Sequence, residues 1–219
     1  MTKKKGIIYN QPSAGSFDIP KVVYRGETGT YRLFEKMTPT MNQEHLAKLY
    51  EAEKQKGNPH PTDSPLIWAI VSAGHSLRNE NLLESEMLRK FLRRCFGQYP
   101  NTLTRVRYNP SGKDRIIHNY ATPDQYSLTG KIVGPNGRIS DLSDKSFLES
   151  LLGTKDASGV NCVSNWINET DSSIWRLNSK PKKIVERVIG FGACSAGLDM
   201  GYDGNPLRAH PAFMVLRVD

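Results

Sequence analysis

The C-terminal stretch from Arg187 to Asp219 constrains the fold of this chain more than any other part of its sequence. Two apolar runs, Val188 to Phe191 and Ala212 to Val218, have the composition of β-strands. The residues between them lack helical or strand periodicity and are rich in Gly, Asp, Asn and Ser. Loops of that length are uncommon in compact domains and are usually functional when they are ordered. Because apolar anchors recur along this stretch, the sequence predicts a long ordered loop region between two paired strands.

Two helix-start patterns lie in the first half of the chain. Thr40 and Gln43 form a capping box before apolar residues at helical spacing, and this pattern ends at Gly57. Ser64 is the predicted cap of the next helix, because the following Pro65 favours a first helical turn. The segment after Pro65 is apolar on all sides and is therefore predicted to be buried.

A third helix is predicted from Asn81 to Phe96, where apolar residues recur on one stripe. Glu86 and Lys90 stand four residues apart, which places their opposite charges on neighbouring turns. The stripe that we expect to face the core contains Leu83, Met87, Leu88, Phe91 and Cys95.

Strand patterns dominate the second half of the chain. Two segments, 104–108 and 115–120, flank the turn sequence Asn-Pro-Ser-Gly, a strong β-hairpin signal. A second hairpin is predicted over 131–140 and a short helix over 146–152. Helices that come early and strands that come late favour an α+β fold over a doubly wound sheet.

Length and charge bound the domain organisation and the partners. At 219 residues the chain accommodates one main domain, placed at 37–219, after an N-terminal extension or short strands at 1–36. The net charge of +8 makes nucleic acid a possible partner, but the basic residues are dispersed, as on a solvated surface. We expect neither a signal peptide nor a membrane span, because no apolar run is long enough. The basic segments are 3–5, 89–94, 105–115 and 180–183.

Three cysteines, Cys95, Cys162 and Cys194, are widely spaced, and their odd number argues against a disulfide framework or a paired-cysteine zinc site. One alternative function is a cysteine hydrolase in which Cys162 or Cys194 uses His210 as its base. Such a base needs an orienting group, and only Asp219 follows it. The sequence therefore favours a buried Cys162 that behaves as a small hydrophobic residue.

Other enzyme and metal sites receive little support. Arg25-Gly26 with Glu84 and Glu86 is similar to the pattern of an ADP-ribosyl transferase, but both glutamates lie on the predicted amphipathic third helix. The histidines lack the spacing of metal ligands on a single element. No helix follows Gly190 and the nearby glycines to direct its N-terminus at a phosphate. We therefore predict no cofactor and no bound metal.

Three short motifs within 159–219 carry a resemblance to a known fold. Asn161 to Trp166 is similar to a Gly-Asn-Val-x-Glu-Trp motif, Arg187 to Ala193 to an Arg-x-x-Arg-Gly-Gly-Ser-Trp strand, and Met214 to Val218 to a terminal Gly-Phe-Arg strand. These motifs belong to the C-type lectin fold of formylglycine-generating-enzyme-like domains and of the variable proteins of diversity-generating retroelements. The resemblance implies early helices, short antiparallel strands and a long ordered C-terminal loop region.

Departures from the motifs separate the two branches of this superfamily. The oxygen-dependent enzymes carry two nearby cysteines that hold the active-site metal in the C-terminal loop, whereas here only Cys194 is present. The glutamate of the first motif is replaced by Asn165. The resemblance therefore implies the non-enzymatic branch, in which a diversified terminal region, here 187–219, places its side chains on one exposed face.

We therefore predict a non-enzymatic variable protein, encoded by a virus or a retroelement-bearing microbe and located on a virion or cell surface. Its macromolecular ligand is expected to be a protein in preference to a nucleic acid. Tyrosine and arginine, which anchor protein interfaces, occur among its mixed side chains. The predicted ligand-binding residues are Ala193, Cys194, Ser195, Leu198, Asp199, Tyr202, Asp203, Asn205, Arg208, Ala209, His210 and Phe213.

Overall fold

The computed structural model of the protein describes residues 15–110, 114–130, 137–139, 145–176, 181–194 and 197–219. These segments form five helices and two open sheets, a mixed α/β arrangement. The helices are α1 (Gln43–Lys54), α2 (Ser64–Ser76), α3 (Leu82–Phe96), α4 (Lys145–Leu152) and α5 (Ala157–Asn168). The strands are β1 (Ser16–Tyr24), β2 (Glu27–Phe34), β3 (Asn101–Tyr108), β4 (Asp114–His118), β5 (Tyr126–Gly130), β6 (Gly137–Ile139), β7 (Ser172–Arg176), β8 (Val185–Cys194), β9 (Gly197–Gly204) and β10 (Val215–Arg217).

The smaller sheet joins strands from the two ends of the described chain, in the order β1, β2, β10. β1 and β2 are antiparallel and are connected at Arg25 and Gly26, while β10 pairs antiparallel with the other edge of β2. Short strands are thus present in the described part of the predicted range 1–36, whereas 1–14 lie outside the described residues. Ile19 of β1 and Val215 of β10 belong to one hydrophobic core, so both ends contribute to the same body.

The larger sheet has seven described strands, in the order β5, β4, β3, β8, β9, β7, β6. Neighbouring strands are antiparallel except for β7 and β9, which run parallel. The predicted hairpin is confirmed as β3 and β4. Of the predicted second hairpin, 131–136 and residue 140 lie outside the described residues. Its remaining strand, β6, pairs with β7 at the opposite edge from β5.

β9 lies within the stretch that the sequence predicts to be a loop, so the prediction of one long loop is wrong. Glycines interrupt the side-chain alternation of this strand and hide its signal. They also permit close strand approach, because a β-carbon on Gly204 would lie 2.8 Å from the carbonyl oxygen of Val188. Met200 fixes the strand to the core and is fully buried. Among the described residues of this stretch, the loop that remains is the connection between β9 and β10.

The core is built around α2, which contacts β1, β3, α3, α4 and α5. The predicted burial of this helix is confirmed, since Trp68 and Ile70 are at most 3% exposed. Around it lie Phe96, Phe191 and Phe213, with the Phe96 ring centroid 5.5 Å from each of the other two. Burial of a large apolar side chain contributes roughly 1.5–3 kcal/mol, so this cluster stabilises the packing of α3 against β8.

Two helix starts differ from the predicted ones. Asn42 caps α1 with its side chain, so Thr40 and Gln43 do not form a capping box. Gln43 is instead fully buried and donates to backbone carbonyl oxygens of β3. Asp63, not Ser64, caps α2. In α1 the cap is Asn42, which directly precedes the helix, and in α2 it is Asp63, while the Ser64 hydroxyl donates to the buried carbonyl oxygen of Leu151.

The predicted stripe on α3 is correct only in the second half of the helix. Leu88, Phe91 and Cys95 are buried, whereas Leu83 is 73% and Met87 is 48% exposed. All buried residues of α3 lie between Leu88 and Phe96. The apolar periodicity in the sequence therefore continues beyond the part of the helix that packs on the core. The predicted pairing of Glu86 with Lys90 is present at 3.6 Å.

The two later helices differ in how visible they are in the sequence. α4 confirms the predicted short helix. α5 contains Asn161 to Trp166, a segment for which the sequence predicts a motif but no helix. Within the described ranges, no helix combines the length and the apolar character needed to cross a bilayer.

Candidate functional site

The connection between β9 and β10 exposes a compact set of the predicted ligand-binding side chains. Asn205, Leu207, Arg208 and Ala209 are exposed, and Leu207 reaches 77%. His210 at the end of the set is half-buried. We call residues 205–210 the display loop. One exposed leucine is ordinary on a protein surface, so the loop is a candidate contact surface only together with its exposed neighbours.

Hydrogen bonds hold the display loop in one conformation. The N–H groups of Leu207 and Arg208 donate to the side-chain oxygen and the carbonyl oxygen of Asn205, at 3.0 and 2.9 Å, and form a tight turn. At its end, Met41 and His210 exchange two backbone hydrogen bonds of 3.1 and 3.2 Å. The loop is therefore attached to the segment before α1 as well as to its own strands.

Tyr99 extends the exposed surface beside the display loop. Its side chain is 52% exposed, and its ring lies over Gly192 of β8, where a β-carbon would be 2.7 Å from the ring. The backbone N–H of Asn101 donates to the carbonyl oxygen of Pro211 at 2.9 Å, which joins this turn to the residue after the display loop. Tyr99 carries no signal in the sequence, because no periodicity or motif marks the turn after α3. We call the display loop and Tyr99 together the binding face.

Three of the predicted residues with described side chains do not belong to this face. Phe213 is 2% exposed and packs edge-on against Phe96, so it is a core residue and its assignment to a ligand surface is wrong. Ala193 is half-buried and packs against the core. Asp199 is half-buried and accepts a hydrogen bond from the hydroxyl group of Ser173. β8 and β9 therefore support the face in the described part without contributing its exposed side chains.

The other predicted residues are outside the described part of the structure in whole or in side chain. Ser195 falls between two described segments. Cys194 on β8 and Leu198, Tyr202 and Asp203 on β9 have described backbones only. Their assignment to the ligand surface stays a prediction.

A cysteine hydrolase is not assembled from the side chains that the structure describes. Cys162 is exposed on α5, so the prediction that it is buried is wrong. It forms no hydrogen bond with His210, whose backbone pairs with Met41. Burial lowers the pKa of His210, and the adjacent Arg208 acts in the same direction. Burial also raises the pKa of the Cys95 thiol to about 12, which makes that thiol a poor nucleophile.

Two arginines of the basic segment 105–115 take part in internal contacts. Arg105 is 4% exposed and donates to Oε1 of Gln43 at 2.7 Å and to Oε2 of Glu186 at 2.9 Å, with its guanidinium carbon 3.4 Å from the centroid of Tyr120. Arg107 donates to Oε1 of Glu186 at 2.8 Å. Burial opposes ionisation of Glu186, but the hydrogen bonds from Arg107 and Arg105 hold the pKa of its carboxyl group below the ordinary value. These contacts bury the charge of Arg105 and pair that of Arg107, which leaves less unpaired positive charge for a nucleic acid.

The residues of the ADP-ribosyl transferase pattern are not brought together. Arg25 lines cavities at the turn between β1 and β2, whereas Glu84 lines a different cavity beside α3. Glu86 forms a hydrogen bond of 2.8 Å with Arg89. Among the residues with described positions, no cluster of three or more His, Cys, Asp or Glu side chains could hold a metal ion.

The binding face combines an ordered backbone with exposed apolar, aromatic and basic groups, and the described residues around it form no nucleophile–base pair. Neither a protein-family model, nor a curated protein, nor a solved structure matches the chain.

Proposed function

We propose that this chain is a non-enzymatic binding protein that recognises a protein ligand through the binding face. The observation that carries the proposal is the exposure of Leu207 next to Arg208 on a hydrogen-bonded loop, with Tyr99 beside it. Tyrosine and arginine are enriched among the residues that dominate binding energy. Because the loop is already ordered, little conformational entropy is lost on binding and more of the contact energy becomes affinity.

The ligand that fits this face has an apolar depression with acidic groups around it. Leu207 supplies the apolar contact, and the ring of Tyr99 adds apolar area with a polar hydroxyl tip. Arg208 is exposed and forms no ion pair with any carboxylate that the structure describes, so its charge is available to the ligand. The net charge of +8 favours encounter with an acidic partner.

The finer assignment, a variable protein on a C-type lectin scaffold, is part of this proposal. It is supported by the position of the display loop inside the region 187–219 that the resemblance identifies as variable. The contacts that fix the loop are mostly backbone hydrogen bonds, which do not depend on side-chain identity. Exposed side chains could therefore vary while the loop keeps its conformation, as display on a virion or cell surface requires.

Selection of a phage-displayed random peptide library on the intact protein tests the proposal. The double variant L207D/R208E removes the apolar contact and reverses the charge, while V23D places the same aspartate at another exposed apolar position, 62% exposed. We expect the selected peptides to be apolar and acidic. Their affinity should fall about tenfold or more for L207D/R208E and stay unchanged for V23D.

Two results contradict the proposal. If the selected peptides bind L207D/R208E as tightly as they bind the unmodified protein, ligand recognition lies on another surface. If the selection enriches no peptide above a protein-free control, the protein lacks the proposed binding activity. Thermal unfolding of both variants serves as the folding control. Because all three substituted positions are exposed, we expect their effects on the free energy of unfolding to stay within about 0.5 kcal/mol each.

A further inference from the structure

A cavity of about 420 Å³ lies beside the turn between β1 and β2, lined by none of the binding-face residues. Its wall includes residues of β2, α1, α2 and β10, so the packed body of the protein shapes it. The volume is in the range of sites that hold small ligands. Because Arg25 lines it from the turn, we call it the Arg25 cavity.

Arg25 brings to this cavity a guanidinium group that no neighbouring carboxylate neutralises. Its Cζ atom lies 4.4 Å from the centroid of the Tyr126 ring. Among the residues that the structure describes, none forms an ion pair with it, whereas Arg217 in the same wall is paired with Glu27 at 2.5 Å. An unpaired guanidinium is a bidentate donor whose geometry matches a carboxylate or a phosphate.

The surface under Arg25 is held rigidly by Asp63. This residue is fully buried, and its Oδ2 atom accepts hydrogen bonds from the hydroxyl groups of Tyr24 at 2.7 Å and Tyr126 at 3.2 Å. Its Oδ1 atom accepts from the backbone N–H of Leu66 and so caps α2. The ring on which Arg25 rests is thereby fixed to the start of the central helix.

The backbone at Arg25 adds a second reason to look for a ligand. Arg25 and Gly26 have φ angles of +52° and +82° and form the two-residue connection of the hairpin. The first of these positions favours Asn, Asp or Gly, so an arginine there is strained. Strained residues concentrate at functional sites, where the side chain compensates for the backbone cost.

The rest of the lining supplies two hydrogen-bond acceptors, and one of them is buried without a partner. Asn119 is 4% exposed, and its Oδ1 atom has no hydrogen-bond partner. Nδ1 of His60 lies 3.1 Å from the carbonyl oxygen of Pro61, so Nδ1 carries the hydrogen and Nε2 is left as an acceptor. Burial lowers the pKa of His60, which keeps the ring neutral near pH 7. Buried acceptors without partners carry a desolvation cost that a donor from a ligand would remove.

We propose that the Arg25 cavity binds a small organic oxyanion that carries hydroxyl groups, either a phosphate ester or a sugar acid. The oxyanion forms a bidentate contact with the guanidinium of Arg25, and ligand hydroxyl groups donate to Asn119 Oδ1 and His60 Nε2. Lys54 is already bound to Asp124 at 2.7 Å and to the Tyr50 hydroxyl at 2.8 Å, so it shapes the wall and leaves the anion to Arg25.

Isothermal titration calorimetry of the full chain tests the proposal with ribose 5-phosphate, gluconate, neutral ribose and inorganic phosphate as probes. The first two distinguish a phosphate ester from a sugar acid. We expect at least one of them to bind, and to bind more tightly than ribose or inorganic phosphate. Absence of binding by both, or equal binding by ribose, would overturn the proposal.

Two variants assign the contacts. R25Q should weaken binding of the preferred anion about tenfold or more, whereas R115Q, a change at an exposed arginine on β4, should leave it unchanged. N119G removes the acceptor at a position whose φ of +48° suits glycine, so it should weaken the preferred anion and leave inorganic phosphate unaffected. If R25Q binds the preferred anion with unchanged affinity, the proposal is wrong. L207D/R208E should bind the anion normally, so failure at one site is distinguishable from failure at the other.

Discussion

Arg25 and Arg105 each place a guanidinium group over a tyrosine ring, but their surroundings are opposite. Arg105 is 4% exposed, and its donors are occupied by Gln43, Glu186 and Glu44. Arg25 is exposed and has no ion-pair partner among the described residues. Arg105 connects α1 to β3 and β8, whereas Arg25 sits in a two-residue turn beside an open cavity.

This difference shows how one residue type serves structure in one place and is available for recognition in another. A buried guanidinium must be fully hydrogen-bonded, since an unpaired buried charge is strongly unfavourable. An exposed one can stay unpaired in water and exchange water for a ligand. Burial and partner count, not residue type, therefore separate the two roles, and each of the following experiments tests that separation.

The largest effect should come from Arg105→Ala. It leaves the Gln43 amide oxygen without a buried donor and removes one of two arginine partners of Glu186. We expect the free energy of unfolding to fall by about 3 kcal/mol in urea denaturation. Arg107→Ala is the matched comparison, because the side chain is 39% exposed and should cost less than about 1 kcal/mol. Equal losses would show that burial does not separate these arginines.

Asp63→Ala should have the next largest effect. It removes the cap of α2 and the common acceptor of Tyr24 and Tyr126, so we expect a loss of about 2 kcal/mol in the same measurement. Asp63→Asn keeps a capping oxygen and should cost about half as much. A loss in Asp63→Ala no larger than in Asp63→Asn would indicate that the support under Arg25 comes from ring packing alone.

Lowering the pH should destabilise the protein through buried His118. Its Nε2–H donates to the carbonyl oxygen of Ser150, and Nδ1 accepts from the Thr104 hydroxyl. Burial lowers the pKa of His118 below 6.5, so the unfolded chain binds the proton first. Stability from this residue is complete above pH 6.5 and is lost as the pH falls, by up to about 1.4 kcal/mol per pH unit.

The variant H118Q should reduce that pH dependence, while H45Q, at an exposed position, should not. The readout is the free energy of unfolding between pH 7 and pH 5. The Tyr126 ring, on which Arg25 rests, stacks on His118 with centroids 4.8 Å apart. The same slope in H118Q and the unmodified protein would mean that another group accounts for the acid sensitivity.

The smallest effect on stability should come from Arg25→Asn. Relief of the positive φ angle favours the variant, and loss of the stacking on Tyr126 disfavours it, so the change should lie within about 0.5 kcal/mol. Urea denaturation measures it. A loss above about 1 kcal/mol would make Arg25 a structural residue like Arg105 and would remove the contrast between the two.

Several elements were predictable because their signals are local. The all-round apolar character of α2 required burial, and the Asn-Pro-Ser-Gly turn sequence defined the hairpin of β3 and β4. The exposure of the segment around Arg208 also followed from its composition. In the second half of α3, periodicity identified Leu88, Phe91 and Cys95 as core residues.

Other features depend on residues that are distant in the sequence. Phe213 is of a residue type that anchors protein interfaces, and only the packing of its ring against Phe96 makes Phe213 a core residue. Gln43 matched a capping box, but β3 offers its amide two buried carbonyl acceptors. Tyr99 joins the binding face because β8 places Gly192 under its ring.

The sequence by itself determined that α1 to α4 are helical, that α2 is buried and that part of the C-terminal region is polar enough to be exposed. Those properties follow from periodicity, turn chemistry and side-chain polarity, which act over a few residues. The tertiary structure decided that β9 is a strand, that β7 runs parallel to it and that Arg25 reaches Tyr126. These three features depend on pairing between distant segments. The glycine-rich β9 gains its hydrogen bonds, and its Met200 gains buried contacts, only from neighbours elsewhere in the chain.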